Sequence, residues 1–486
     1  MRPTLAHSIV RQYLEVEVIG TEANALALQG TLAALCKESL LPVIELAFER
    51  CCPQHRLIRI ERLELDLGSV ALGRLEQELP TLLQHSLATA LDAHIAALPP
   101  SPDGTAGYTG LAHAMDEALA YFLQCGTLPP ALHLSRDRNF ETTLRAYQDE
   151  SGAGALAPLS NALQTALRRG AGIERLTGQF SVAFQRTILA RMGTTALVSL
   201  DAVLGQVPAG PAIAGALAAI DTGHSQPYDA NVLAAVEKLL LRAALHCAAM
   251  GGDSSAPALI GEALALAGGQ RAAQAALKVM LTPAALAAQS NPEKPEHAAT
   301  VDQAGLSSMP GMQSDCIDHP DQAEGIFVDN AGLVLLHPFL APLFDTLAIS
   351  RGERLLAPAR ALAVMHFLAS GQDSGPEYAM ALPKILCALP LTANVEAGIV
   401  TSAVEQAEAF EMLEAVITHW SKLQSTSPDG LRGAFLMRPG KLSQRNGEWV
   451  LQVEAHAADI LLSDLPWGVS AIRLPWMEQI LWVEWN

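Results

Sequence analysis

From Leu111 to Gln289 the apolar residues of this chain, most of them Ala and Leu, recur at a spacing of 3.6. The run is broken only by short Gly- or Pro-bearing stretches such as Ser151-Gly152-Ala153-Gly154, Arg169-Gly170-Ala171-Gly172 and Gly251-Gly252-Asp253. Strand patterning has a period of two, so over a third of the chain is closed to sheet architecture. Aromatic residues are sparse there, and alanine lets helices approach closely but supplies few large anchors. No repeat of fixed period emerges. The region 111–289 is therefore expected to form an array of packed helices rather than the core of an enzyme.

The flanks differ from this middle. Residues Tyr13 to Ile19 alternate, with Leu14, Val16 and Val18 on one side and Tyr13, Glu15 and Glu17 on the other, which predicts a strand. Apolar residues at helical spacing follow from Glu22 to about Glu49, ended by Cys52-Pro53, and a second strand is predicted over Leu57–Leu67. In that strand Ile58 and Ile60 share one parity while Leu63, Leu65 and Leu67 take the other, so a bulge is expected near Glu61-Arg62. A second amphipathic helix runs from Leu72 to about Ala97. Residues 1–98 thus read as a β-α-β-α unit, closed by a Pro- and Gly-rich linker at 99–110.

At the other end, residues 290–324 are rich in Pro, Gly, Ser and charge without periodicity, and are expected to be a disordered linker. All six tryptophans fall in the last 67 residues, which marks 325–486 as a separate Trp-rich α+β domain. It opens on the apolar segment Gly332–Phe344. Helices are predicted near Pro358–Ser370, Glu377–Leu389 and Ser402–Gln424. Lys441–Arg445 and Trp449–Glu454 flank Asn446-Gly447, the signature of a tight hairpin, and Ile480–Trp485 forms a last strand. The fold class is mainly α with small α+β parts.

With 31 Lys+Arg against 50 Asp+Glu the net charge is −19, and no local basic patch offsets it, which speaks against a nucleic-acid partner. Seven scattered cysteines without a CxxC pair give neither a disulfide framework nor a zinc ribbon, and fit a reducing compartment. The first residues lack a signal-peptide core. The uncharged stretch 202–220 approaches membrane-spanning length, but Pro208 and Pro211 break the helix a bilayer requires, so a membrane contact there is only a weak candidate.

Motifs for chemistry are absent or better explained structurally. Glu64 and Asp66 share a strand face, as solvated residues do. Cys51-Cys52 with His55 is half a metal site without its second half. Gly152-Ala153-Gly154 and Gly170-Ala171-Gly172 lack the preceding strand and third glycine of a dinucleotide loop, and GxxxxGK[ST], HExxH and GxSxG do not occur. His337, His366, His419 and His456 suit structural roles. No catalytic residue, metal ligand or cofactor is expected. Trp449, Trp467 and Trp476 suit a core, while Trp467, Trp476, Trp482 and Trp485 are the candidate partner-contact residues, since Trp also marks contact hot spots.

Certain strings point further. They are His7-Ser8-Ile9-Val10-Arg11-Gln12-Tyr13-Leu14-Glu15-Val16-Glu17 and Ile58-Arg59-Ile60-Glu61-Arg62-Leu63-Glu64-Leu65-Asp66-Leu67-Gly68 in the first domain. In the last domain they are Asn330-Ala331-Gly332-Leu333 onward to Leu340, Leu382-Pro383-Lys384-Ile385-Leu386-Cys387, Ser427-Pro428-Asp429-Gly430-Leu431-Arg432, Arg438-Pro439-Gly440-Lys441-Leu442, and the Leu-Pro-Trp triplets at 465–467 and 474–476. Together these resemble the tape measure proteins of phage-tail-like contractile injection systems, over roughly residues 5–100 and 325–486.

The resemblance implies a non-enzymatic bacterial component that sets the length of the inner tube and sheath. Its partners would be the inner tube, the baseplate hub and the tube-terminating subunits, and an oligomer stays open. It would be made in the bacterial cytoplasm and end inside the tube. The alternative is an assembly adaptor or chaperone for tube or baseplate subunits that does not remain in the lumen.

Overall fold

A computed structural model describes residues 12–19, 35–51, 62–97, 109–130, 139–150, 158–205, 230–278 and 325–485, with a few positions inside these spans and beside them excepted or added. The expected linkers at 99–110 and 290–324 fall almost wholly outside these residues, as do positions 206–220 of the uncharged stretch, Cys52, His55 and the 152–154 glycine triplet. The chain is mostly helical with small β parts. It divides into two units, one of residues 1–117 and 131–152, the other of 118–130 and 153–486.

In the first unit a π turn at Cys36–Leu40 runs into α1 (Leu41–Cys51), which packs on α2 (Leu75–Ala97). Leu79, Leu83, Leu87 and Leu91, one every fourth residue, form a single ridge of α2 against Leu35, Leu40, Ile44 and Ala47. The two predicted strands take a different form. Sheet pairing in this unit is limited, among the described residues, to β1 (Arg56–Leu57) with β2 (Thr109–Gly110), and residues 12–19 and 62–70 enter no ladder.

The alternation of 62–70 is nevertheless expressed in packing. Leu63, Leu65 and Leu67 lean half-buried on the helix pair while Arg62, Glu64 and Asp66 stay exposed. A period of two needs only a surface to bury one parity, and here two helices supply what a neighbouring strand would. Asp66 accepts from the Gly68 amide at 2.9 Å, where Gly68 turns the chain with φ +71°. Glu64 pairs with exposed Arg62.

In the second unit, α3 (Leu111–Cys125) arrives from the first, and α4 (Phe140–Glu150) belongs to the first. The helical region then runs α5 (Asn161–Arg168), α6 (Gly170–Gln179), α7 (Val182–Arg191), α8 (Ala196–Gly205), α9 (Ala230–Met250) and α10 (Ala256–Leu266). Ser160 and Ser181 cap α5 and α7 by accepting from the amides of Leu163 and Phe184. The long helix α9 contacts α5, α6, α7, α8 and α10, and buries Val236, Leu240, Leu241, Ala243, Ala244 and Leu245. The glycine triplet at 170–172 is a packing device. A Cβ on Gly172 would meet the Ala166 carbonyl oxygen at 2.2 Å, so α5 and α6 can turn on each other only with glycine there.

The C-terminal part of the same unit holds a five-stranded sheet, order β3-β6-β7-β9-β8, built from β3 (Ile326–Val328), β6 (Gly440–Arg445), β7 (Glu448–Val453), β8 (Ala471–Ile472) and β9 (Leu481–Trp485). A minor pair, β4 (Ser350–Arg351) with β5 (Arg354–Leu355), stands apart. The β6–β7 hairpin turns at Asn446 and Gly447, φ +53° and +83°, as the dipeptide demands. The last strand, β9, lies parallel to β7.

One buried hydrophobic core is shared by this sheet and the helices α11 (His337–Thr346), α12 (Pro358–Ser370), α13 (Ala381–Leu386), α14 (Ala403–His419) and α15 (Pro428–Leu431). Residues Ala331–Leu336 form a 3-10 turn in which every residue is buried, which is why that apolar run shows no amphipathic period. Ser402 and Glu405 make a reciprocal capping box at the start of α14. Trp420 is fully buried, donates to the Leu461 carbonyl at 3.2 Å and meets Phe435 edge-on.

Candidate functional site

Charged side chains are costly to bury, so the place where three are wholly enclosed is the most informative point of the second unit. Arg175 on α6, Glu377 on the 3-10 turn Glu377–Met380, and Lys384 on α13 have no exposed side-chain surface. Arg175 Nε donates to Glu377 Oε2 at 2.9 Å, and Lys384 Nζ donates to Glu377 Oε1 at 2.8 Å. One carboxylate thus bridges two cations from different parts of the unit.

Backbone carbonyls absorb the surplus positive charge. Arg175 Nη1 donates to Leu123 O at 2.5 Å and Gln124 O at 3.2 Å, and Nη2 to Thr392 O at 2.9 Å. Lys384 Nζ donates to Leu391 O at 2.8 Å. The Leu123 and Gln124 carbonyls belong to the last turn of α3, where intrahelical donors run out and the helix dipole favours a cation. Gly126 ends that helix at φ +74°, and a Cβ there would come within 2.4 Å of Glu377 Oε1.

Gln179 adds a polar clasp, accepting from the Glu377 amide at 3.0 Å and donating to Val395 O at 3.2 Å. Phe122 stands edge-on to both Phe180 and Tyr378 beside the cluster. Burial lowers the Lys384 pKa. The adjacent Glu377 carboxylate works against that shift and Arg175 adds to it. The cluster fastens the helical region to the C-terminal part. Each charge is met by protein partners and has no exposed side-chain surface, so none is open to a substrate.

The strings singled out in the sequence prove to be further fasteners. Arg432 donates to the Leu368 and Phe367 carbonyls, pairs with Asp429 at 2.8 Å and lies over the Phe367 ring. Arg438 makes a two-pronged bond to Asp459, 2.6 and 3.0 Å, and donates to Glu454 O. Asn330 Nδ2 donates to Ala379 O at 3.0 Å. Gly332 and Gly440 sit where neighbouring chain leaves no room for a side chain.

Of the candidate partner-contact residues, Trp476 is buried, stacks on Phe344 and donates to Leu386 O at 2.8 Å. Trp467 is half-buried, donating to Leu335 O and meeting Phe339 edge-on. The Trp485 ring lies 5.6 Å under the Arg438 guanidinium. Trp482 is 41% exposed and reaches Glu448. The structure thus gives Trp467, Trp476 and Trp485 partners within the chain and leaves Trp482 with an open face.

The four histidines take separate places. His337 and His419 bond the carbonyls of Val334 and Ala415, and the His456 ring accepts from the Ala458 amide. His366 is buried against Gly375. Among the described residues no group of three His, Cys, Asp or Glu is placed to hold a metal ion. Burial pushes the Cys387 thiol far up, so it is no thiolate. No described helix is long and apolar enough to cross a membrane.

These groups set an acid limit on stability. Burial lowers the pKa of His366 and of His337, against a backbone hydrogen bond in each case, so both resist protonation when folded. Their stabilisation is complete above the unfolded value of about 6.5 and is lost as pH falls below it. Burial raises Asp459, but the Arg438 hydrogen bonds and charge with the His456 amide outweigh it, leaving the carboxyl below its usual range. That contribution is present above about pH 4 and is lost as pH falls through the lowered value. Urea midpoints followed by Trp fluorescence should therefore decline in two steps on acidification. Asp459→Asn should shrink the lower step, which Glu405 and Glu484 share because their own hydrogen bonds also hold them below the usual range, and spare the upper one; an unchanged lower step would refute the assignment.

Arg175 and Glu377 were not singled out in the sequence, although a signal exists. Lys384 is the sole charge between Glu377 and Glu396, and a lone cation in an apolar run needs a buried anion.

Comparison with known proteins places this architecture. A family model described as contractile injection system tape measure protein matches residues 6–485, nearly the whole chain. No curated protein and no solved structure matches the chain.

Proposed function

This chain belongs to the contractile injection system tape measure protein family, and we propose that within such a particle it sets the length of the inner tube and sheath. The family match carries this reading and supports a structural, non-catalytic component. The architecture supports it too. Residues 325–486 form a body dense in internal fasteners, suited to hold one end of an assembly, and the domain of residues 1–98 would hold the other. The helical region 111–289 and the linker 290–324 between them would set the separation. About 180 residues drawn into one continuous helix would reach on the order of 270 Å, at about 1.5 Å per residue.

Assembly would take place in the bacterial cytoplasm, with the chain ending in the lumen against tube, baseplate-hub and tube-terminating subunits. In that role the helices packed around α9 must come apart when the chain is threaded. The −19 charge would guide it along a lumen of complementary charge.

Removing about 50 residues in frame from 111–289 should shorten particles by up to ~75 Å in electron micrographs, and duplicating a segment of the same size should lengthen them by as much. The duplication guards against a deletion that merely unfolds α9. Unchanged length in both would overturn the ruler. One observation favours a second reading: the helices around α9 are packed as a folded domain, with Leu240, Ala243 and Ala244 wholly buried. An adaptor or chaperone would use them as they stand and be missing from finished particles.

A further inference from the structure

The helical region and the C-terminal part belong to one unit, yet their apolar cores are built separately. Among the described residues, the core shared by the five-stranded sheet and its helices is made wholly of side chains from Ile326 onward, and the half-buried apolar residues packed on it come from the same part. The helical region buries its own around α9. What joins the two is polar. Among the described residues, the hydrogen bonds between them run from α6 to the stretch 377–395. Arg175 donates to Glu377 and to Thr392 O, Gln179 donates to Val395 O and accepts from the Glu377 amide, and Asn394 Nδ2 donates to Glu174 at 3.4 Å. Phe122, edge-on to Tyr378, adds an aromatic contact.

The way these bonds are shared out decides what parting would cost. Arg175 keeps the Leu123 and Gln124 carbonyls, which lie on its own side. Glu377 and Lys384 lie together on the other side and keep each other at 2.8 Å, and Lys384 also keeps Leu391 O. Separation therefore leaves a matched ion pair on one face and a lone arginine on the other. Both faces then meet water, which solvates the charges that burial had stripped. Opening either apolar core brings no such return, since it exposes hydrocarbon to water.

We infer that the contact of α6 with residues 377–395 is a release joint, at which the helical region parts from the C-terminal part while both stay folded. This deepens the proposed function, and its use in the particle rests on that reading. Release is the first step of extension. It frees the helices around α9 to be drawn out and leaves residues 325–486 folded to hold their end of the assembly.

Hydrogen exchange of the full chain, read residue by residue at urea concentrations below the unfolding transition, tests it. The Glu377 amide crosses the joint to Gln179, so its exchange reports opening. Without urea it should exchange about tenfold or more faster than the amides of the buried residues Leu240 on α9 and Leu451 on β7, which are freed when a core unfolds. Its rate should climb less steeply with urea, because parting two faces wets less surface than unfolding does. Unfolding then overtakes release as urea rises, so the joint is still shut at the unfolding midpoint. Gln179→Glu keeps an acceptor for the Glu377 amide but loses the donor to Val395 O, and should speed Glu377 exchange about tenfold.

Glu377 exchange in step with Leu240 and Leu451 at every urea concentration overturns the release joint, because the two parts would then separate only by unfolding. Fast Glu377 exchange that Gln179→Glu leaves unchanged overturns it too, since the turn Glu377–Met380 would be fraying by itself. Both readouts come from the isolated chain and particle length plays no part in them, so a failed ruler and a failed release joint are told apart.

Discussion

Glu377→Ala is expected to lower the stability of its unit by about 3–5 kcal/mol, the range for removing one partner of a buried ion pair. The reason is the count of charges left behind. Glu377 is the only anion of the cluster, and it accepts from both Arg175 and Lys384. Without it Lys384 can shed its proton, since burial already lowers its pKa, but an arginine cannot do so inside a protein. Arg175 would keep a buried charge held only by carbonyl oxygens. All six tryptophans lie in the C-terminal part of this unit, so their fluorescence during urea unfolding reads the loss directly.

The related variants should rank below it in a set order. Arg175→Met leaves the Lys384–Glu377 pair but strips donors from the Leu123 and Thr392 carbonyls. Lys384→Met leaves a matched Arg175–Glu377 pair and loses only the Leu391 contact as a backbone bond, so it should be mildest. The triple change Arg175→Met, Glu377→Leu, Lys384→Met should recover most of the loss, because well-packed apolar replacements of buried ion clusters are often neutral or better. A triple variant as weak as Glu377→Ala would show instead that the cluster contributes stability beyond cancelling its own desolvation.

The sequence displayed what is periodic and local, and concealed what is long-range. The Asn446-Gly447 hairpin, the helix at Pro358–Ser370 and the last strand were readable because turn chemistry and side-chain period act within a few residues. The strands expected at 13–19 and 57–67 were read from the same kind of signal, but period two reports a face to be buried and not what buries it. For 62–70 that is a helix pair. The Trp-rich end announced a distinct packing environment, while the choice among Trp467, Trp476, Trp482 and Trp485 depended on which of Leu335, Leu386, Phe339 and Phe344 folded against each. The charge cluster joins residues some 200 positions apart, and no local pattern couples Arg175 to Glu377.

The same distinction explains why the resemblance-bearing strings contain glycines that no turn requires, and Gly332→Ala is the sharpest test. Gly332 lies inside the buried turn Ala331–Leu336, and a Cβ built there would stand 1.7 Å from the Phe435 carbonyl oxygen and 2.8 Å from Leu436 Cα. Both obstacles are backbone, in the π turn Arg432–Leu436, which Arg432 ties to the Phe367 and Leu368 carbonyls and whose neighbour Arg438 is clamped to Asp459. A flexible side chain could swing away, whereas this segment moves only by breaking those bonds or the one from the Ala331 amide to Arg438 O. Overpacking that forces backbone shifts costs about 1–3 kcal/mol and occasionally more, and with two arginine anchors at stake about 3 kcal/mol or above is expected. Gly433→Ala is the matched control, because it lies in that same π turn with open space where its Cβ would go. Its effect on the urea midpoint should be small, and equal losses in the two variants would disprove the close approach of the two turns.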